Sequence, residues 1–131
     1  MKKTMLLLAL AAGAAAAHAG PYTVLQDSQC ALVSAEQLAA AIGRAGAATG
    51  LALAKDMALR AELQCAVDGK TAGRVRYAYT MRVALDKQVA DGEMLRWTPV
   101  AHLTGYGSAT DGKALLRQAS FTLRDLIRQE P

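Results

Sequence analysis

The strongest regularity in the chain is an alternation of apolar and polar residues that runs through two long segments with the same parity. In residues 57–68 the odd positions are Met57, Leu59, Ala61, Leu63, Cys65 and Val67, while the even ones include Arg60, Glu62, Gln64 and Asp68. In residues 74–86 the odd positions are Val75, Tyr77, Tyr79, Met81, Val83 and Leu85, against Arg74, Arg76, Thr80, Arg82 and Asp86 at even ones. Side chains of a strand point alternately to its two faces, so each segment predicts a strand with one dry side. The linker Gly69-Lys70-Thr71-Ala72-Gly73 predicts an antiparallel hairpin between them. A second turn at Ala90-Asp91-Gly92 leads to a strand over 94–104, in which Leu95, Trp97, Ala101 and Leu103 continue the apolar side. Pro99 donates no ladder hydrogen bond, so it suits an edge strand or a bulge.

Two segments switch to helical period. Ser34 and Gln37 form a capping-box pattern, and Leu38, Ala41, Ile42 and Ala45 follow on one face. Gly43, Gly46 and Gly50 weaken this helix, end it between 46 and 50, and would let its backbone lie close to a sheet. A corner at Gly105-Tyr106-Gly107-Ser108 is expected to feed a final helix, capped by Thr110 or Asp111, whose apolar stripe is Leu115, Leu116, Ala119, Leu123, Leu126 and Ile127. Tyr22–Leu25 reads as a short first strand. The order β-α-β-β-β-α predicts an α+β two-layer sandwich: about four mostly antiparallel strands, both helices on one face, the other face open.

The chain's 131 residues suffice for one domain. Its first 19 stand apart. Lys2 and Lys3 precede an apolar run from Met5 to Ala17, and Ala17-His18-Ala19 matches the small-x-small pattern of a cleavage site, so residues 1–19 read as a signal peptide and 20–131 as the mature domain. No later stretch approaches the roughly 20 apolar residues of a membrane-spanning helix. A soluble exported product, periplasmic or secreted, is expected. Cys30 lies well past the cleavage point, so no lipid anchor is read. Loss of two lysines leaves 13 cationic side chains against 11 anionic ones, too even a balance for a nucleic-acid binder. An oxidising compartment gives the two cysteines a meaning: Cys30 and Cys65 are expected to form a disulfide that supplements a small core.

No pattern of catalytic, metal-binding or cofactor-binding residues emerges, and a non-enzymatic protein is expected. His102, the one histidine outside the leader, has no triad or carboxylate pattern around it and reads as a solvated strand residue. Two surfaces remain as candidates. The open sheet face is expected to gather Arg60, Arg74, Arg76, Arg82 and Arg96 among small residues, suited to bidentate contacts with carboxylates or phosphates, or else to be a solvated face balanced by Glu62, Asp68 and Asp86. On the last helix Phe121 points away from the apolar stripe between Arg117, Arg124 and Arg128, as an anchor with a charged rim or a ring held by cation–π contact.

The element order, the length and the leader together resemble small envelope accessory domains, typified by the lipopolysaccharide-assembly lipoprotein of the outer membrane and by auxiliary components of ABC transporters. The likeness covers residues 22 to 129 and is one of topology; the lipid-bearing cysteine of that group has no counterpart here. It implies a protein that binds another envelope protein or an acidic envelope component. The alternative is a small-ligand carrier or an inhibitor of a secreted enzyme.

Overall fold

The computed structural model describes residues 15–19 and 21–129; most of the expected leader, residues 1–14, lies outside the described residues. The elements are β1 (Ala15–Ala19), β2 (Tyr22–Gln29), α1 (Ala35–Ala48), β3 (Met57–Thr71), β4 (Arg74–Asp91), β5 (Met94–Ala109) and α2 (Gly112–Gln129). The strands form one sheet in the order β1-β2-β3-β4-β5. β2 and β3 are parallel, joined across α1, and the other neighbours are antiparallel. The expected α+β sandwich is therefore present in β2 to α2. Residues 15–19, the end of the expected leader, add a fifth strand along β2.

One face of the sheet carries both helices, α1 over β2 and α2 over β4 and β5. The odd residues Leu59, Leu63, Met81 and Val83 are fully buried against Leu38 and Ile42 of α1 and Leu115 and Leu123 of α2. Each such side chain contributes about 1.5–3 kcal/mol relative to exposure. The capping box forms: Ser34 Oγ accepts from Gln37 N–H and Gln37 Oε1 accepts from Ser34 N–H. At α2 it is Asp111, not Thr110, that caps, accepting from Ala114 N–H. Gly46 lets α1 settle onto the sheet, since an added Cβ would lie 3.0 Å from the Tyr22 ring.

Three details differ from the sequence expectation. First, Gly105-Tyr106-Gly107-Ser108 is no corner, because β5 runs through it to Ala109. Gly107 sits opposite Tyr79, and an added Cβ would lie 3.0–3.2 Å from that ring; the glycine makes room for a cross-strand aromatic. Second, Val67 and Val75 are exposed although their parity is that of the core. The helices have 14 and 18 residues, about 21 and 27 Å, whereas the 18 residues of β4 extend for about 59 Å, so both hairpins overhang the helical layer.

Third, β5 carries a bulge at Val100: Leu85 pairs with Ala101 but Asp86 with Pro99. The extra residue reverses the parity of everything before it. Leu95 and Trp97 pair with Ala90 and Gln88 and so lie on the helix-free face, while Arg96 pairs with Val89 and moves to the other. Arg96 thus leaves the arginine face to which simple alternation assigned it.

Cys30 and Cys65 are disulfide-bonded. Gln29 pairs with Gln64, so the bridge continues the β2–β3 register by one residue and fastens two strands of the sheet at the point where the chain departs for α1. It does not tie sheet to helix. Replacing both cysteines by serine releases a constraint on a loop of 35 residues, and the chain-entropy relation predicts a loss of about 3–4 kcal/mol, measured by denaturant unfolding. The β3–β4 turn offers an opposite test. Ala72 and Gly73 both have positive φ, 52° and 79°, a pairing that favours Asn-Gly. Ala72→Asn is expected to raise stability by roughly 0.5–1 kcal/mol in the same assay.

Candidate functional site

The arginines of the helix-free sheet face are largely committed to partners. Arg60 Nε lies 2.7 Å from Asp86 Oδ2, Arg60 also approaches Glu62 at 3.7 Å, and Arg82 reaches Glu62 at 3.4 Å. The register explains the chain of charges: Glu62 faces Arg82 directly, and Arg60 faces Ala84, one diagonal step from Asp86. Two cations and two anions therefore alternate across β3 and β4. Arg76 folds over its own hairpin, donating to the Asp68 carbonyl and the Thr71 hydroxyl. Arg96 pairs with Asp91 at 2.8 Å, and Arg74 stands exposed opposite Thr71 at the turn.

Asp86 departs most from a solvated face. Its side chain is wholly buried between Ala58 of β3 and Pro99 of β5, and Oδ1 has no hydrogen-bond partner. Ala58 and Ala84 beside it are also buried. The small residues and the Val100 bulge close the sheet around one carboxylate, and the Arg60 guanidinium is its sole counterion among the described residues. His102, opposite Ala84, is exposed as expected.

The helical side differs in charge. β2, β3 and β5 point the same way, and each helix returns against the strand before it, so α1 and α2 run in one direction. Gly112 sits so tightly against the Leu32 carbonyl that no Cβ fits, which places the start of α2 beside the start of α1. Between the two helices lies a groove of about 410 Å³. Its apolar floor is Ala41, Leu116 and Phe121, and its rims carry Arg44 from α1 and Lys113, Arg117 and Arg124 from α2. Spacings of three and four residues put Lys113, Arg117, Phe121 and Arg124 on one stripe of α2. Arg124 stacks 5.5 Å from the Phe121 ring centroid, and the ring remains 48% exposed. No carboxylate lies within ion-pair distance of any of the four cations among the described residues.

The structure thus gathers Arg117, Phe121 and Arg124 and adds Arg44 and Lys113, which the sequence reading did not select. Arg128 falls outside the groove and pairs with Asp125. Lys113 carried a sequence signal, lying on the Arg117 stripe one turn earlier. Arg44 carried none, because its proximity comes from helix packing. Among the described residues no three of His, Cys, Asp and Glu converge where a metal could bind, and no described helix is long and apolar enough to cross a membrane. No protein-family model and no curated protein matches the chain. Its chemistry is read from its own side chains.

The sheet-face network generates a double-mutant test. Arg60→Met strands a buried carboxylate and is expected to cost about 3–5 kcal/mol, whereas Arg60→Met combined with Asp86→Leu recovers most of that loss. Chemical unfolding of the two single variants and the pair measures the coupling.

Proposed function

We propose that this chain is an exported, non-enzymatic binding protein of the cell envelope that docks an acidic amphipathic segment of a partner protein in the groove between α1 and α2. The observation that carries this reading is the assembly of Arg44, Lys113, Arg117 and Arg124 around an exposed Phe121 without a counterion among the described residues. The other arginines of the sheet face and hairpins, Arg74 apart, meet carboxylates of the chain itself. An apolar floor with cationic rims suits a helix whose apolar face enters the groove while flanking carboxylates meet guanidinium groups, and bidentate geometry favours such pairs. Phe121 supplies the central anchor and the rim supplies steering.

Export is supported by the leader-like start of the sequence and by the Cys30–Cys65 disulfide. An envelope accessory role is what the topological resemblance implies.

The test uses a fluorescein-labelled peptide of alternating acidic and leucine turns, titrated with the oxidised protein and followed by anisotropy. Binding is expected, weakening steeply with added salt, and Arg117→Glu with Arg124→Glu lowers affinity at least tenfold while Arg74→Glu leaves it unchanged. Equal affinity for the reversed variant and the parent protein, or no binding by the parent, contradicts the proposal.

A further inference from the structure

Two adjacent rows of polar side chains cross the helix-free face from β2 to β5. The register sets Gln29 beside Gln64, Gln64 beside Thr80 and Thr80 beside Tyr106; two residues along, Asp27, Glu62, Arg82 and Thr104 form the neighbouring row. Gln29, Gln64, Thr80, Thr104 and Tyr106 are exposed, and none of their side chains hydrogen-bonds another described residue. Tyr106, at the end of its row, is 85% exposed. The Ala66–Ala78 pair beside the rows adds little bulk, and the face is hollowed there: two depressions of about 290 and 210 Å³ meet at Gln64 and Thr80. Charge narrows the choice of ligand. Arg82 lies 3.4 Å from Glu62, and Arg60, the next cation along, is held by Asp86 and Glu62. Asp27 adds a further negative charge, so a phosphate or carboxylate finds no uncompensated cation here. What is left is a surface of amides, hydroxyls and one phenol.

We infer that these rows bind an uncharged glycan that carries acetamido groups, laid across the strands with one pyranose ring on Tyr106. Sugar hydroxyls both donate and accept, and so do the side chains of this surface; an acetamido group offers one N–H and one C=O, and a glutamine amide answers both. The negative π face of the Tyr106 ring attracts the polarised C–H groups of a pyranose. From Gln29 to Tyr106 the row spans three strand spacings, about 14 Å, which suits a short oligosaccharide rather than a single ring. Side chains standing on a sheet are fixed in position before the ligand arrives, and this lowers the ordering cost of binding. The site is on the side of the sheet opposite the interhelical groove, and it rests neither on the reading of that groove nor on the leader.

The experiment titrates isotope-labelled, oxidised protein with chitotetraose and follows the backbone amide shifts by NMR. Saturable shifts are expected at Gln29, Gln64, Thr80 and Tyr106 and none in α1 or α2. Shifts confined to the helices, or none at millimolar sugar, overturn the inference. Tyr106→Ala and Gln64→Ala alter exposed side chains, so both are expected to keep the parent's melting temperature while each weakens binding about tenfold; unchanged affinity in either overturns the site. Cellotetraose has the same linkage without the acetamido groups and is expected to bind about fivefold more weakly. Equal binding of the two sugars overturns the role given to the glutamines.

Discussion

Everything in this molecule depends on a sheet that is covered on one side by two helices shorter than its three long strands, β3, β4 and β5. Because side chains alternate, the choice of covered face is made once, by the pairing of Leu59 with Leu85, Ala61 with Val83 and Leu63 with Met81, and every other odd residue of β3 and β4 follows. A slip of one residue would bring Arg60 and Glu62 under the helices if β3 moved, or Arg82 and Asp86 if β4 moved, at the cost of burying two charges. That penalty fixes the register more firmly than any hydrogen bond in the ladder. The overhang follows from the same arrangement. Where the helices end, the apolar parity persists in Val67, Val75 and Val89, but no described residue covers it and all three are exposed.

The two outer surfaces divide the charge between them. On the helix-free side, Asp86, Arg60, Glu62 and Arg82 alternate across two strands, and the burial of Asp86 means that the carboxylate, while present, needs the Arg60 guanidinium beside it. Between the helices no such compensation exists among the described residues, and four cations share a field with one exposed ring. A net charge of +4 hides this asymmetry, since the side-chain totals say nothing about which carboxylates stand beside which guanidinium groups.

The parity of residues 57–68 and 74–86, the capping box at Ser34 and the apolar stripe of α2 were all legible in the sequence, because each is a local pattern with a single physical cause. The disulfide was legible from the count of two cysteines and from the compartment that the leader-like start led one to expect. What escaped was non-local. Pro99 announced a bulge or an edge, and β5 has both, but the position of the extra residue at Val100, and with it the fate of Leu95, Arg96 and Trp97, depends on how β5 pairs with β4. Gly107 resembled a turn residue because glycine in a strand that shelters the Tyr79 ring looks the same in sequence as glycine at a corner. Asp86 had the parity of a solvated residue and is buried, because Ala58 and Pro99 flank it from two other strands. Arg44 and Lys113 joined the groove through the side-by-side placement of two helices that are distant in the chain.

The most direct measurement of this account is residue-resolved hydrogen–deuterium exchange of the oxidised protein. Amides of 58–63 in β3 and 81–86 in β4, under the helices, are expected to exchange slowest and near the global unfolding limit. Those of 67–75 and 89–97, on the overhanging hairpins, are expected to exchange orders of magnitude faster. Protection that runs evenly to both hairpin tips, or that is greatest there, would contradict a sheet held together by its one covered face.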